Sequence, residues 1–195
     1  MRATGDDRRG PRMSVADEIL AIYAARGAGA YFGECVSMRE HGLQAAHFAE
    51  EAGAPATLVA AALLHDIGHL IVDVPNDLAA WTHDARHEDT GACWLAARFA
   101  SGVSEPVRLH VAAKRYLCAT NPAYFARLSP ASVTTLELQG GPMSAAQARA
   151  FESHPHHRDA VRVRLWDDRG KVEGLKTREL GDYRGLLDSL ATERR

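Results

Sequence analysis

The stretch ATLVAAALLHDIGH, Ala56 to His69, decides how this chain is read. Ala56 to Ile67 is almost entirely Ala, Leu and Val, and a helix that is apolar on every side is a buried central helix. Pro55 suits its first turn, and Gly68 is expected to end or loosen it. At its end His65 stands directly before Asp66, an imidazole and a carboxylate where a core has no use for them. Burying a charged carboxylate is costly unless a partner or a metal compensates. A metal ion is the economical explanation, and it directs attention to the other imidazoles and carboxylates of the chain.

Around this centre the pattern is helical throughout. Val15 to Ala25 has a 3.6-residue period, with Ser14 as N-cap. Arg26 to Glu34, RGAGAYFGE, carries three glycines and is expected to form a mobile loop. Ser37 to Ala52 reads as a helix closed by Gly53. Asp84 to Ala100 reads as another, stopped around Gly102. Ser104 with Pro106 is expected to open the next, to about Leu117. Short helices are expected after Asn121-Pro122 and Ser129-Pro130, and Gly140-Gly141-Pro142 breaks the chain. Ser144 with Gln147 is a capping box for Ala145 to Glu152. Arg158 to Trp166 leads into Asp167, and Asp182 to Leu190 is a last candidate. With no sustained period-2 run, repeat or linker, the expected fold is all-α: a single helical bundle over residues 14–195, behind a disordered lead-in at 1–13.

Bulk composition narrows the function classes. The chain has 195 residues, 46% of them hydrophobic and 25% charged, with a net charge of -2. That charge gives no reason to expect nucleic acid or an anionic membrane as a partner, and no protein partner is inferred. Cys35, Cys93 and Cys118 have no CxxC spacing and are expected to be reduced thiols in a cytoplasm, with Cys93 and Cys118 buried as small apolar residues. No secretory h-region and no membrane-length apolar run is present.

Six side chains are candidate metal ligands: His41, His65, Asp66, His87, His110 and Asp167. A His and Asp set without thiolate fits an open catalytic site for a first-row metal better than a closed structural zinc site. Asp66 is the natural bridge, since a carboxylate has two oxygens. One ion would be held by His41, His65, Asp66 and Asp167, the other by Asp66, His87 and His110. Taken singly, His41 and His110 read as ordinary helix histidines and Asp167 as a solvated helix end; the fixed order H, HD, H, H, D is what joins them. His47, His83, His154, His156 and His157 are read as bystanders. Lys114 falls four residues after His110, and Arg164 three before Asp167, so each shares a helical face with a ligand.

These residues carry a resemblance. YFGECVSMREH (Tyr31 to His41), LLHDIGH (Leu63 to His69), HVAAKRYLC (His110 to Cys118), LSPASVTTLELQGGPM (Leu128 to Met143) and VRLWDD (Val163 to Asp168) resemble the HD-domain mixed-valence diiron oxygenases that cleave carbon–phosphorus bonds. The resemblance implies an HD-domain helical bundle with an Fe(II)/Fe(III) pair bridged by Asp66, and dioxygen as co-substrate. The implied substrate is a small organophosphonate, 1-hydroxy-2-aminoethylphosphonate or an N-methylated form. Its C–P bond would be cleaved oxidatively to phosphate and glycine, or a betaine. Tyr31 and Glu34 match a lid, the glutamate meeting the substrate amine. His69, Lys114, Ser132 and Arg164 match phosphonate-binding positions. Tyr31, Glu34, His69 and Lys114 are the expected catalytic residues. Two other readings use the same ligands: an HD phosphohydrolase acting on a nucleotide or other phosphate ester, and a non-catalytic metal-binding domain.

Overall fold

The computed structural model describes residues 13–72 and 86–192. Residues 1–12 of the expected lead-in, His83 and the expected helix start at Asp84 lie outside the described residues. The elements are α1 (Val15–Arg26), α2 (Met38–Glu51), α3 (Ala56–Leu64), α4 (Ile67–Ile71), α5 (His87–Ala96), α6 (Ser101–Thr120), α7 (Pro122–Phe125), α8 (Pro130–Leu138), α9 (Ala145–Glu152), α10 (His157–Arg169), a 3-10 turn (Leu180–Tyr183) and α11 (Arg184–Leu190). Among the described residues no strand forms beyond two isolated bridges, Ala30 to Ser37 and Phe99 to Ala191. The fold is an all-α bundle, as the periodicity predicts.

Local chemistry sets the helix starts. Ser14, Ser37 and Ser144 each close a capping box, with Asp17, Glu40 and Gln147 returning to the cap nitrogen. Asn121 and Ser129 cap helices that begin with proline. The apolar α3 is the core: Leu58 through Leu64 are buried without a break. It packs between α2, α6 and α10, and the Tyr23 hydroxyl of α1 donates to the Leu63 carbonyl at 2.8 Å. None of the described helices is long and apolar enough to cross a membrane.

The structure corrects four local expectations. Ala56 to Ile67 is not one helix: the chain turns at Asp66 (φ -102°, ψ 12°), ending α3 and starting α4. Gly68 therefore lies inside α4 and does not stop it; its role is close approach, for a Cβ there would stand 2.0 Å from the His87 carbonyl oxygen. The helix before Gly102 ends at Ala96, and α6 begins at Ser101, not at Ser104-Pro106. Pro106 sits early in α6, where its missing N–H leaves only the Gly102 carbonyl without a helical donor. Finally, Cys93 is exposed and Cys118 half-buried. On α5 the buried ridge runs through His87, Gly91 and Leu95, and Cys93 falls between its steps.

Candidate metal centre

The six predicted ligands come from five parts of the bundle and meet in its interior. His41 lies on α2, His65 and Asp66 at the α3 to α4 turn, His87 at the start of α5, His110 on α6 and Asp167 on α10. All six are buried. The break at Asp66 lets consecutive residues aim at one point, which an unbroken helix would not allow.

Three of the imidazoles are held in one tautomer by main-chain oxygens. His41 Nδ1 donates to Gly170 at 2.9 Å, His65 Nδ1 to Ala62 at 2.8 Å and His110 Nδ1 to Val107 at 2.7 Å. Each bond points Nε2 inward, toward where an ion would sit, the arrangement of a metal-ligating histidine. His41 Nε2 then stands 3.0 Å from His65 Nε2, and His87 Nε2 3.1 Å from His110 Nε2. Two nitrogens about 2.1 Å from one ion at right angles lie roughly 3 Å apart. The spacing fits two cations, one per pair.

Asp66 lies between the pairs. Its Oδ2 is 3.4 Å from His65 Nε2 and 3.7 Å from His41 Nε2, whereas its Oδ1 is 3.2 Å from His87 Nε2 and 3.5 Å from His110 Nε2. One oxygen faces each pair. Asp167 adds Oδ1 at 3.3 Å from His41 Nε2 and Oδ2 at 3.8 Å from His65 Nε2. Its buried Oδ1 has no hydrogen-bond partner among the described residues, a vacant anionic acceptor aimed at the first pair. Donor atoms of His41, His65 and Asp66 lie within 4.8 Å of one another, as do those of Asp66, His69 and His87. His69, expected to meet the phosphonate, therefore also offers a donor to the second half, its ring stacked on His87 at 3.9 Å.

The electrostatics point the same way. Burial alone would raise Asp66, but the imidazoles of His65, His110 and His87 hold it well below the usual carboxylate range. Burial opposes Asp167 likewise, and Arg164 followed by His65 and His41 outweighs it. Burial would lower His65, yet Asp66 and Asp167 pull it up to about 9. A metal cation would stand in for that proton. Burial keeps His69 and His110 below the ordinary histidine value.

A cavity opens onto the second half, lined among others by Tyr31, Glu34, His69, Lys114, Ser132 and Arg164. All six expected substrate-site residues thus share one space. Tyr31 is buried and stacks on His41 at 3.7 Å. Phe32 beside it is held at φ 44°, a strained value away from glycine. Lys114 donates to Thr135 at 2.9 Å, and burial, with Arg164 adding to it, pushes it down to about 7. Arg164 is engaged on several sides: it pairs with Asp167 at 2.7 Å, with Asp168, and with the Tyr124 hydroxyl at 3.2 Å. Holding Asp167 is its evident structural role.

The sequence reading missed Lys171, Ser129 and Thr135. Lys171 lies 3.2 Å from Glu34 and donates to Ser132 at 3.0 Å, and Ser129 donates to Glu34 at 2.7 Å. Glu34 thus meets a lysine here. Lys171 follows Asp167 at the same four-residue spacing as Lys114 follows His110, a signal obscured because α10 ends at Arg169. Among the described residues, His47 pairs with Glu51 at 3.5 Å and His154 with Glu105 at 3.3 Å, both away from the cluster.

An interior His-Asp doublet, three further imidazoles and a distal aspartate in a helical bundle define a class. The chain belongs to the HD-domain family, whose model matches residues 38–139, just over half of its length. It is 46% identical over 160 residues to the hydroxymethylphosphonate dioxygenase of Gimesia maris, covering 82% of this chain and 80% of that protein. It is 45% identical over 179 residues to the glycine-betaine-forming 1-hydroxy-2-(trimethylamino)ethylphosphonate dioxygenase of Leisingera caerulea, covering 92% and 91%. An uncharacterized protein of Acanthamoeba polyphaga mimivirus is 34% identical over 181 residues, covering 90% and 81%.

Proposed function

We propose that this protein is an iron- and dioxygen-dependent oxygenase of phosphonate catabolism. It cleaves the C–P bond of a 1-hydroxy-2-aminoethylphosphonate, releasing phosphate and glycine, or a betaine where the amine is methylated. The observation that carries the reading is Asp66, whose two oxygens each face a separate imidazole pair. The names of two relatives at 45–46% identity, both phosphonate dioxygenases, support the reaction class.

Two bound irons would supply dioxygen activation and the electrons of the oxidation. His41, His65, Asp66 and Asp167 would hold one of them, and Asp66, His87 and His110 the other, with His69 in reach. The chain's own part is binding and shielding. Lys114, Ser132 and Lys171 offer donors to a phosphonate on one wall of the cavity. A buried lysine lowered to about 7 regains its proton when an anion arrives. Tyr31 and Phe32 close the cavity over the ligand cluster and keep water from it. The free thiols Cys35, Cys93 and Cys118 support a reducing cytoplasm.

Anaerobic loading with iron, followed by parallel oxygen-electrode and phosphate assays, tests the proposal. The substrates are 2-amino-1-hydroxyethylphosphonate, its trimethylated analogue and hydroxymethylphosphonate. Phosphate appearing in step with oxygen uptake is the expected result. Phosphate release without oxygen uptake would reject the oxidative reading in favour of hydrolytic C–P cleavage, and turnover of phosphate esters alone would identify a phosphohydrolase.

A further inference from the structure

We infer that Glu88 is a positioning residue for His87, giving that imidazole a carboxylate where the other three have main-chain carbonyls. The inference rests on the reading that His87 holds an ion. His65 and His110 reach the carbonyl three residues back in their own helices, and His41 reaches Gly170. His87 is the first residue of α5, preceded by Arg86 at φ 47°, so it lacks a helical turn of its own behind it. Glu88 Oε2 stands 3.5 Å from His87 Nδ1. Both atoms are buried, and neither has a hydrogen-bond partner among the described residues. A buried donor and a buried anionic acceptor face each other across slightly more than a hydrogen bond. A cation drawn to Nε2 acidifies the Nδ1 proton and closes that gap.

A carboxylate behind a ligating imidazole fixes its tautomer and raises its basicity. It therefore strengthens the hold on the ion and favours the higher oxidation state. A main-chain carbonyl is neutral and does so less. Glu88 thus makes His87 a stronger donor than its partner His110, and separates the two ends of that pair electronically.

Metal-free wild-type protein, Glu88→Gln and Glu88→Asp are titrated with Fe(II) anaerobically, and the midpoint potential of each iron-loaded form is measured. Glutamine keeps the shape and an acceptor oxygen but removes the charge. The expected result is a loss of affinity of roughly 10- to 100-fold for one ion of the two. The potential is expected to move positive, by about 59 mV for each tenfold loss of ferric over ferrous preference, with aspartate restoring part of both. A lowered melting temperature with affinity and potential unchanged overturns the role. Should Glu88→Gln fail to fold, proton NMR of zinc-loaded wild-type protein decides. A slowly exchanging, downfield His87 Nδ1 proton supports the contact, and its absence overturns it. If wild-type protein binds no ion at His87, the metal reading itself falls, separately from the Glu88 result.

Discussion

Gly68 lies so close to His87 that a methyl group on it would stand 2.0 Å from the His87 carbonyl oxygen and 3.0 Å from the Gly91 nitrogen. The contact is backbone against backbone, so no side-chain rotation relieves it. It is what brings α4 and α5 close enough for His87 to reach Asp66. Gly68→Ala is expected to cost about 3 kcal/mol through overpacking. It should also push His87 away from the cluster, so that metal analysis finds about one ion per chain while circular dichroism still reports helix.

Asp66 is the shared element of the two imidazole pairs. Asp66→Ala should leave a chain that retains at most one ion and shows no coupled oxygen uptake. Metal counting after anaerobic iron loading reads this directly, and a variant that keeps both ions and turnover contradicts the bridging role.

Lys114 is expected to make anion binding in the cavity depend on pH. Its ordinary value of 10.5 is lowered to about 7, with burial the largest cause. The folded protein holds this proton only below about 7, whereas the unfolded chain keeps it up to about 10.5. Between those values the unfolded state binds more protons, so this residue's contribution to stability rises with pH across the window. Lys114→Met should therefore be more stable than wild type near pH 7, with the gap closing toward 10.5. Sulfate, whose charge is constant in this range, should bind the wild-type cavity best below about 7 and weaken by about tenfold per unit above it.

Arg164 joins Asp167, Asp168 and the Tyr124 hydroxyl through a planar fork. Lysine keeps the charge but offers no such fork. Arg164→Lys should free Asp167 to rotate and lower metal affinity by roughly 10- to 100-fold, as losses behind a ligand typically do. An unchanged dissociation constant would show that Asp167 needs no such support.

The legible part of this molecule was its local chemistry. The N-cap at Ser14 and the capping box at Ser144 formed as expected, and the proline after Ser129 opened α8, because such signals involve residues a few positions apart. The His65-Asp66 pair was legible because an imidazole and a carboxylate at the end of the apolar α3 are an anomaly that asks for a cause, and the order H, HD, H, H, D joined the other four to it. What escaped depends on distant partners. Nothing within Ala56 to Ile67 reveals that the helix turns at Asp66, where α4 sets off to pack against α5 at Gly68. Lys171 and Ser129 become site residues only because the segment after α10 meets the loop at Glu34. Cys93 is outside the core because it falls off the buried ridge of His87, Gly91 and Leu95 on α5, which cysteine's usual burial does not reveal.

The five separate origins of the ligands have one more consequence. Positions 41 and 167 are remote in the chain, yet they converge on one point with three other segments between them. Ions seated there act as multi-armed tertiary cross-links, and no fragment of the polypeptide holds enough arms to compete for them. Ions bound there would brace α2, α5, α6 and α10 at once, so iron loading is expected to raise the melting temperature of the whole bundle.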